Sequence, residues 1–241
     1  MSRNEEKWLK EHAKKSGESL ESLIERRESG EPLQYILGEW EFYGYTFKVG
    51  KGVLIPRPET EFLVDLTKEY AGRGALDAPL IYDLCAGSGC VGIALANEIN
   101  CEVIAVEISD EAIKYLKQNA NLHKRRIRII KGDVLKPELE IIKADVMLVN
   151  PPYLTKQEML ELQEEIKHEP ETALFGGEDG LDFYRKLFKL WGGALKQGGL
   201  FAAEVGDGQA EKVAQLMKSA GFTPQIKKDY SGIDRIIYAI K

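Results

Sequence analysis

Few residues in this chain can form covalent or metal cross-links. Its 241 residues include three cysteines (Cys85, Cys90, Cys101) and three histidines (His12, His123, His168). An odd number of cysteines, clustered in or near apolar runs, excludes a disulfide framework and predicts small buried hydrophobes. The histidines lie far from them in sequence, so no zinc-ligand spacing exists and no metal is expected. No apolar stretch is long enough to span a bilayer. The opening Met1-Ser2-Arg3-Asn4-Glu5-Glu6 is polar, unlike a secretory signal, so a cytoplasmic location is expected. Basic excess is also missing. The net charge of −6 counts against a protein that grips duplex nucleic acid through many phosphates, although a local basic patch can hide in the sum.

What is present is enough apolar material, 44% of residues, for one good core with a small extra element. Residues 1 to about 30 predict two short helices. Trp8, Leu9, His12 and Ala13 share one face, Leu20, Leu23, Ile24 and Arg27 another, and Gly30 stops the second. Two short helices cannot bury a core alone and should pack on the remainder. From Glu39 to Leu54 the aromatics Phe42, Tyr43, Tyr45 and Phe47 around Gly44 predict a hairpin. The prolines of Ile55-Pro56-Arg57-Pro58-Glu59 mark an ordered loop, followed by a helix from about Thr60 to Ala71 and a linker from Gly72 to Pro79.

Thereafter strand and helix alternate. Strands are expected at Leu80–Leu84, Glu102–Val106, Ile127–Ile130, Ala144–Val149 and Leu200–Val205, and an antiparallel closing pair at Pro224–Lys228 and Arg235–Ile240. Helices are expected at Cys90–Glu98 and Asp110–Leu122, the latter with Ala112, Ile113, Leu116 and Ala120 inward. A further helix carries Phe183, Leu187, Leu190 and Trp191 on one face. Another, marked by Val213, Leu216, Met217 and Ala220, is capped by Gly221. The pattern predicts an α/β fold with a doubly wound, mostly parallel seven-stranded sheet, preceded by a small helical element and the β-hairpin.

Two segments carry chemistry. In Asp83-Leu84-Cys85-Ala86-Gly87-Ser88-Gly89-Cys90-Val91-Gly92, the glycines at 87, 89 and 92 have G-x-G-x-x-G spacing between a strand and a helix. Such a turn lets a ligand approach backbone N–H groups at a helix N-terminus. Glu107 ends the next strand, where a carboxylate can accept from ribose hydroxyls and argues against a 2′-phosphate. Asp83 could meet a ligand ammonium. Asp133 could accept from an adenine amino group, and Val134 could pack on its ring. This pattern alone fits NAD and S-adenosylmethionine equally. The second segment, Asn150-Pro151-Pro152-Tyr153, follows a buried strand. Two prolines supply no N–H, so the strand end offers carbonyl acceptors, the Asn150 oxygen and an aromatic ring. Such a cluster suits a flat group bearing N–H donors, at the sheet end where α/β proteins bind ligands.

Asp83 to Gly89, then Glu107, then Asn150–Tyr153, in that order, resembles the class I S-adenosylmethionine-dependent methyltransferases (Rossmann-like) that act on planar exocyclic or amide nitrogens. Further stretches narrow the likeness: Glu31–Gly38, Leu54–Glu61, Glu169-Pro170 with Ala173–Gly177, and Gly180–Asp182. They resemble the HemK/PrmC family of protein-(glutamine-N5) methyltransferases, from about Gly30 to the C-terminus.

The resemblance implies methyl transfer from S-adenosyl-L-methionine, with S-adenosyl-L-homocysteine as product. The acceptor would be the glutamine amide in the Gly-Gly-Gln loop of a class-1 peptide chain release factor. Asn150 and the Pro151 carbonyl would accept both amide N–H bonds, and Pro152 and Tyr153 would complete the substrate pocket, Tyr153 packing on the amide plane. Asp83, Cys85, Ala86, Gly87, Ser88, Gly89, Glu107, Asp133, Val134 and Asn150 would hold the cofactor. Arg57, Pro58 and Glu59 are candidates to close over it, and residues 169–180 to form a lid or groove wall. No direct nucleic-acid or membrane partner is expected. Residues 1–38 would be a reduced helical docking element, 39–72 the hairpin and linker helix, and 73–241 the methyltransferase domain. The chain departs from the family in carrying Cys85-Ala86 where Gly-Thr is usual, and in its short N-terminal helical region. The rivals are a nucleic-acid adenine-N6 or guanine-N2 methyltransferase working on a flipped base, an NAD-dependent oxidoreductase that leaves Asn150–Tyr153 idle, and a non-catalytic cofactor-binding module.

Overall fold

The computed structural model describes residues 1–72, 78–136 and 141–241. Most of the expected linker from Gly72 to Pro79 therefore lies outside the described residues. Helices α1 (Arg3–Ser16), α2 (Leu20–Glu28) and α3 (Leu33–Leu37) precede a two-stranded hairpin, β1 (Glu39–Phe42) and β2 (Tyr45–Lys48). A single 3₁₀ turn at Pro58–Thr60 leads into α4 (Glu61–Tyr70). The alternating part follows: β3 (Leu80–Leu84), α5 (Cys90–Glu98), β4 (Glu102–Glu107), α6 (Asp110–Leu122), β5 (Ile127–Lys131), β6 (Ala144–Val149), α7 (Lys156–Leu160), α8 (Asp182–Gly192), β7 (Leu195–Glu204), α9 (Ala210–Ser219), β8 (Gln225–Lys228) and β9 (Asp234–Ile240).

The seven strands are ordered β5-β4-β3-β6-β7-β9-β8. β3, β4, β5, β6 and β7 run parallel, and β9 lies antiparallel to both β7 and β8. This is the doubly wound sheet that the alternation predicts. The chain winds outward from β3 through β4 to β5, then returns to β6 on the opposite side of β3. The order thus reverses between β3 and β6, and an open α/β sheet binds its ligand at the carboxyl ends of such a pair. Leu84 and Val149 are register partners there, so the loops beginning at Cys85 and Asn150 leave the sheet side by side.

Alternating side chains feed two cores. Tyr82, Leu84, Met147 and Val149 join Leu187, Phe188 and Trp191 on one face. Ile81, Val103, Val146 and Leu148 join Leu63, Val91 and Leu95 on the other. α6 begins as its sequence demands: Ser109 Oγ accepts from the Ala112 N–H at 3.3 Å, and Asp110 and Glu111 fill the first turn, where the helix dipole favours negative charge.

The structure corrects several details. On α8 the buried face is Tyr184, Leu187, Phe188 and Trp191, whereas Leu190 is exposed and Phe183 borders a cavity. β7 begins at Leu195, not Leu200. A register shift against β6 between Ala144 and Val146 absorbs the glycine-bearing stretch that hid its start. α3 was not expected, since five residues are too few to show a helical period. Of the cysteines only Cys90 is buried; Cys85 and Cys101 are partly exposed.

The N-terminal helices bury Leu9, Leu23, Leu33 and Ile36 against one another. They then attach to the remainder. Arg27 pairs with Glu5 of α1 and with Glu165, Trp8 packs edge-on against Trp40, and the Tyr35 hydroxyl donates to the Val53 carbonyl at 2.6 Å. The hairpin turns through Tyr43 (φ 53°) and Gly44 (φ 73°), as a two-residue turn with positive φ at both positions requires. Tyr43 is held there by its N–H to Glu61 and its hydroxyl to Asp65, both at 2.7 Å.

Candidate active site

A cavity of about 600 Å³ opens at the β3/β6 switch. Four strand ends and their loops border it: Cys85–Ser88 after β3, Glu107 at the end of β4 with Ile108 and Ser109 after it, Gly132–Leu135 after β5, and Asn150 with Pro152 after β6. Asp83 borders it as well. Further parts of the wall come from Pro56, Arg57 and Thr60 on one side and from Pro170–Ala173 with Phe175 and Phe183 on another.

The glycine turn divides its labour. Gly87 borders the cavity, and its N–H donates to Glu107 Oε2 at 2.8 Å. Gly89 faces inward instead. At φ 79° it carries no side chain because a Cβ would stand 2.9 Å from Leu116 Cγ. Gly92 lets α5 press on β3, since a Cβ there would meet Asp83 Oδ2 at 3.0 Å and Val103 Cγ1 at 2.8 Å.

Asp83 is 3% exposed, and its Oδ2 accepts from the Gly92 N–H at 2.9 Å. Burial pushes its carboxyl up to about 7, the Gly92 bond works against that, and nearby Glu107 adds to the rise. A raised acid pKa lowers stability as pH climbs, because the unfolded chain releases its proton first. Stability is therefore lost as pH rises from the ordinary aspartate range through about 7. The ligand-free Asp83→Asn variant should lose less thermal stability than the parent between about pH 5 and about pH 8, as melting curves would show. Equal losses in both proteins would remove Asp83 as the cause.

Cys85 adopts φ 61°, a left-handed conformation that costs an L-residue roughly 1–2 kcal/mol. Glycine escapes that cost but loses about 0.5–1 kcal/mol to chain entropy, so Cys85→Gly should leave stability nearly unchanged. Cys85→Val, β-branched at positive φ, should lose at least about 1–2 kcal/mol in urea titration. A neutral valine would show that the turn relaxes.

Glu107 is 8% exposed and already bonded. Its Oε1 accepts from the Ile108 and Ser109 N–H groups, and its Oε2 from Gly87, all at 2.8 Å. A carboxylate has about four acceptor positions, so one remains without rearrangement. A diol that engages both oxygens must displace one backbone donor. Asp133 Oδ1 accepts from the Leu135 N–H at 2.8 Å, and Val134 is pinned by Trp191, whose indole N–H donates to the Val134 carbonyl at 2.9 Å.

Across the cavity, Asn150 Nδ2 donates to Thr60 Oγ1 at 3.0 Å, and the Thr60 hydroxyl donates to Glu204 Oε2 at 2.6 Å. Glu204 is 1% exposed, and burial pushes its carboxyl up to about 7. Pro151 and Tyr153 are not among the lining residues. The Tyr153 ring packs toward the core, its hydroxyl 3.4 Å from Glu204 Oε1, while its carbonyl accepts from Gln209 Nε2 at 2.8 Å. Pro58 and Glu59 do not border the cavity either, whereas Arg57 does.

Sequence reasoning passed over Thr60, Glu204 and the clamp made by Glu169. The Glu169 side chain is 2% exposed, takes the Ile55 N–H at 2.9 Å, and pairs with Arg57. It thereby ties the proline loop to the wall at 170–175. That wall lies flat on the Asn-Pro-Pro-Tyr segment: Gly176 donates to the Leu154 carbonyl at 2.8 Å, and a Cβ at Gly176 would stand 2.7 Å from Tyr153 Cα. Only the pairing of a lone glutamate with a proline-rich loop could have signalled the clamp, and neither motif declares its partner.

Residues 60–178 match the family model for the methyltransferase small domain, and residues 8–38 match that for the PrmC N-terminal domain. The release factor glutamine methyltransferase of Thermodesulfovibrio yellowstonii is 43% identical over 91% of this chain and 80% of its own length. That of Clostridium acetobutylicum is 39% identical over 90% and 78%. The chain belongs to the release factor glutamine methyltransferase family. Solved structures agree on the fold. The Thermus thermophilus 16S rRNA N2 G1207 methyltransferase RsmC, in complex with AdoMet and guanosine, superposes with a TM-score of 0.63 at 19% identity, covering 84% of this chain and 49% of that one. The catalytic domain of hMettl16 gives 0.65 at 15% identity, covering 82% and 76%. Among the described residues, no helix is long and apolar enough to cross a membrane.

Proposed function

We propose that the protein methylates the side-chain amide nitrogen of the glutamine in the Gly-Gly-Gln loop of class-1 release factors, drawing the methyl group from S-adenosyl-L-methionine. One observation carries this reading: the glycine turn after β3 and the acceptor segment after β6, through Asn150 and Pro152, border a single cavity. Family membership supplies the substrate class.

The residues present fit the cofactor. A volume of about 600 Å³ suits a ligand of that size. Asp83 is a buried carboxylate at the turn for an ammonium group, Glu107 retains an acceptor position for a ribose hydroxyl, and Asp133 and Val134 offer an acceptor and an apolar surface for adenine. Cys85, Ala86, Gly87 and Ser88 line the turn beside them. When bound, S-adenosylmethionine supplies an electrophilic methyl group on a sulfonium.

The protein's own contribution is position and charge. An amide nitrogen is a poor nucleophile because its lone pair is delocalised into the carbonyl. Asn150 Oδ1 and the Pro151 carbonyl accept the two N–H bonds, which aims the lone pair and favours pyramidal nitrogen. Pro152 borders the pocket, and Tyr153 holds the segment from behind through its contacts with Glu204 and Gln209. Positioning of this kind supplies roughly 7–11 kcal/mol in the best intramolecular cases, fixed acceptors stabilise the positive charge that grows on nitrogen, and one N–H proton leaves to water once the methyl group is on nitrogen. The wall at 170–175, tied to the proline loop through Glu169 and Arg57, borders the same cavity. Residues 1–38 form the docking element, 39–72 the connecting hairpin and helix, and 73–241 the transferase domain.

Incubation with methyl-labelled cofactor and a release factor, an RNA, or neither tests the reading. Label should enter the release factor alone. Label in RNA would favour base methylation, and binding of NAD in place of S-adenosylmethionine by calorimetry would favour a dehydrogenase.

A further inference from the structure

We infer that Thr60 and Glu204 are positioning residues, whose hydrogen-bond relay sets which face of the Asn150 amide meets the substrate. The inference rests on the glutamine-methylation reading and concerns the same site. Asn150 carries an acceptor and a donor end of nearly equal shape, and only the acceptor end can receive an amide N–H. Something must choose between them. The Thr60 hydroxyl has one proton, and a buried carboxylate can only accept. With Glu204 ionised, that proton points to Glu204 Oε2 at 2.6 Å. Thr60 Oγ1 is then left as an acceptor, and it takes Asn150 Nδ2 at 3.0 Å. The Asn150 oxygen is thereby freed for the cavity.

Protonating Glu204 removes the constraint. The carboxylic acid can donate to Thr60, Thr60 can donate to the Asn150 oxygen, and the amide can flip to present Nδ2. Two donors would then face two donors. The charged and titratable groups bearing on Glu204 are Arg235, which favours its ionised form, Glu59, which opposes it, and Tyr153, whose hydroxyl favours it. Arg235 is itself shared with Asp229 at 3.4 Å. Cys90 also lies within reach of the charge, and the Tyr184 hydroxyl donates to the Glu204 backbone carbonyl at 2.7 Å. Burial outweighs the favourable groups and pushes the carboxyl up to about 7.

The test uses the full-length protein, a release factor and S-adenosylmethionine. Thr60→Val, which keeps the shape and removes the hydroxyl, should lower kcat by about 10–100-fold. The cofactor dissociation constant, read by calorimetry, should move little, which also shows that the variant is folded. Thr60→Ser should restore most of the rate. Wild-type kcat should fall as pH drops through about 7, and Glu204→Gln should flatten that limb. Wild-type turnover with unaltered kcat in Thr60→Val, or the same acidic limb in Glu204→Gln, would overturn the relay and leave glutamine methylation standing. Absence of wild-type turnover on the release factor would overturn the reading beneath it, and the relay with it.

Discussion

Asn150→Ala should lower kcat for release-factor methylation by about 10²–10³, the effect of losing one preorganised hydrogen-bonding group at the reacting centre. Asn150 stands at the end of β6, borders the cavity, and is held through Nδ2 by Thr60 at 3.0 Å. Its oxygen is therefore placed before substrate arrives, and alanine removes the acceptor and leaves the strand intact. The loss should fall on kcat, since the interaction strengthens as charge develops on nitrogen. Steady-state kinetics with saturating cofactor would show it. Turnover within a few-fold of the parent would take the role away from Asn150.

Trp191→Ala should destabilise the protein by about 3–5 kcal/mol, the usual cost of emptying a large aromatic site in a core. Trp191 is 0% exposed, packs edge-on against Tyr82 with ring centroids 5.3 Å apart, and donates its indole N–H to the Val134 carbonyl at 2.9 Å. The last bond links the core to the site, because Val134 borders the cavity. Trp191→Ala should therefore also weaken S-adenosylmethionine binding. Trp191→Phe retains much of the packing but strands the Val134 carbonyl, a loss of about 1–3 kcal/mol. Urea titration with calorimetry on the folded fraction would check both. A mild alanine phenotype would mean that neighbouring side chains collapse into the space.

The contrast between these two residues shows what the sequence could and could not disclose. The position of Asn150 at the cavity was legible because its neighbours are chemically restrictive: two prolines after an apolar strand leave little besides acceptors. The doubly wound sheet was legible from alternation, but the strand order that sets β3 beside β6 was not, since alternation does not fix which strands pair. Helices such as α5 and α6 have glycine or serine at their starts and matched the expected spans. Trp191 was placed on the correct helix face, but its bond to Val134 crosses 57 residues and leaves no local trace.

The same holds for Glu204, which reads as the polar end of an ordinary strand until Thr60, 144 residues away, meets it. Glu107 shows a different gap. Its place was plain from its position at the end of β4, yet its three backbone donors depend on how the β3 and β4 loops fold together. Leu190 was misassigned because a face drawn through 183, 187, 190 and 191 differs by one step from the buried face through 184, 187, 188 and 191, and apolar identity alone does not choose between them.

Mass spectrometry of a class-1 release factor, after incubation with the protein and S-adenosylmethionine, addresses the central claim most directly. Fragmentation should locate one added methyl group on the glutamine of the Gly-Gly-Gln loop, with none when Asn150→Ala replaces the parent for the same time. An unmodified loop glutamine, with the methyl group elsewhere or absent, would contradict the account.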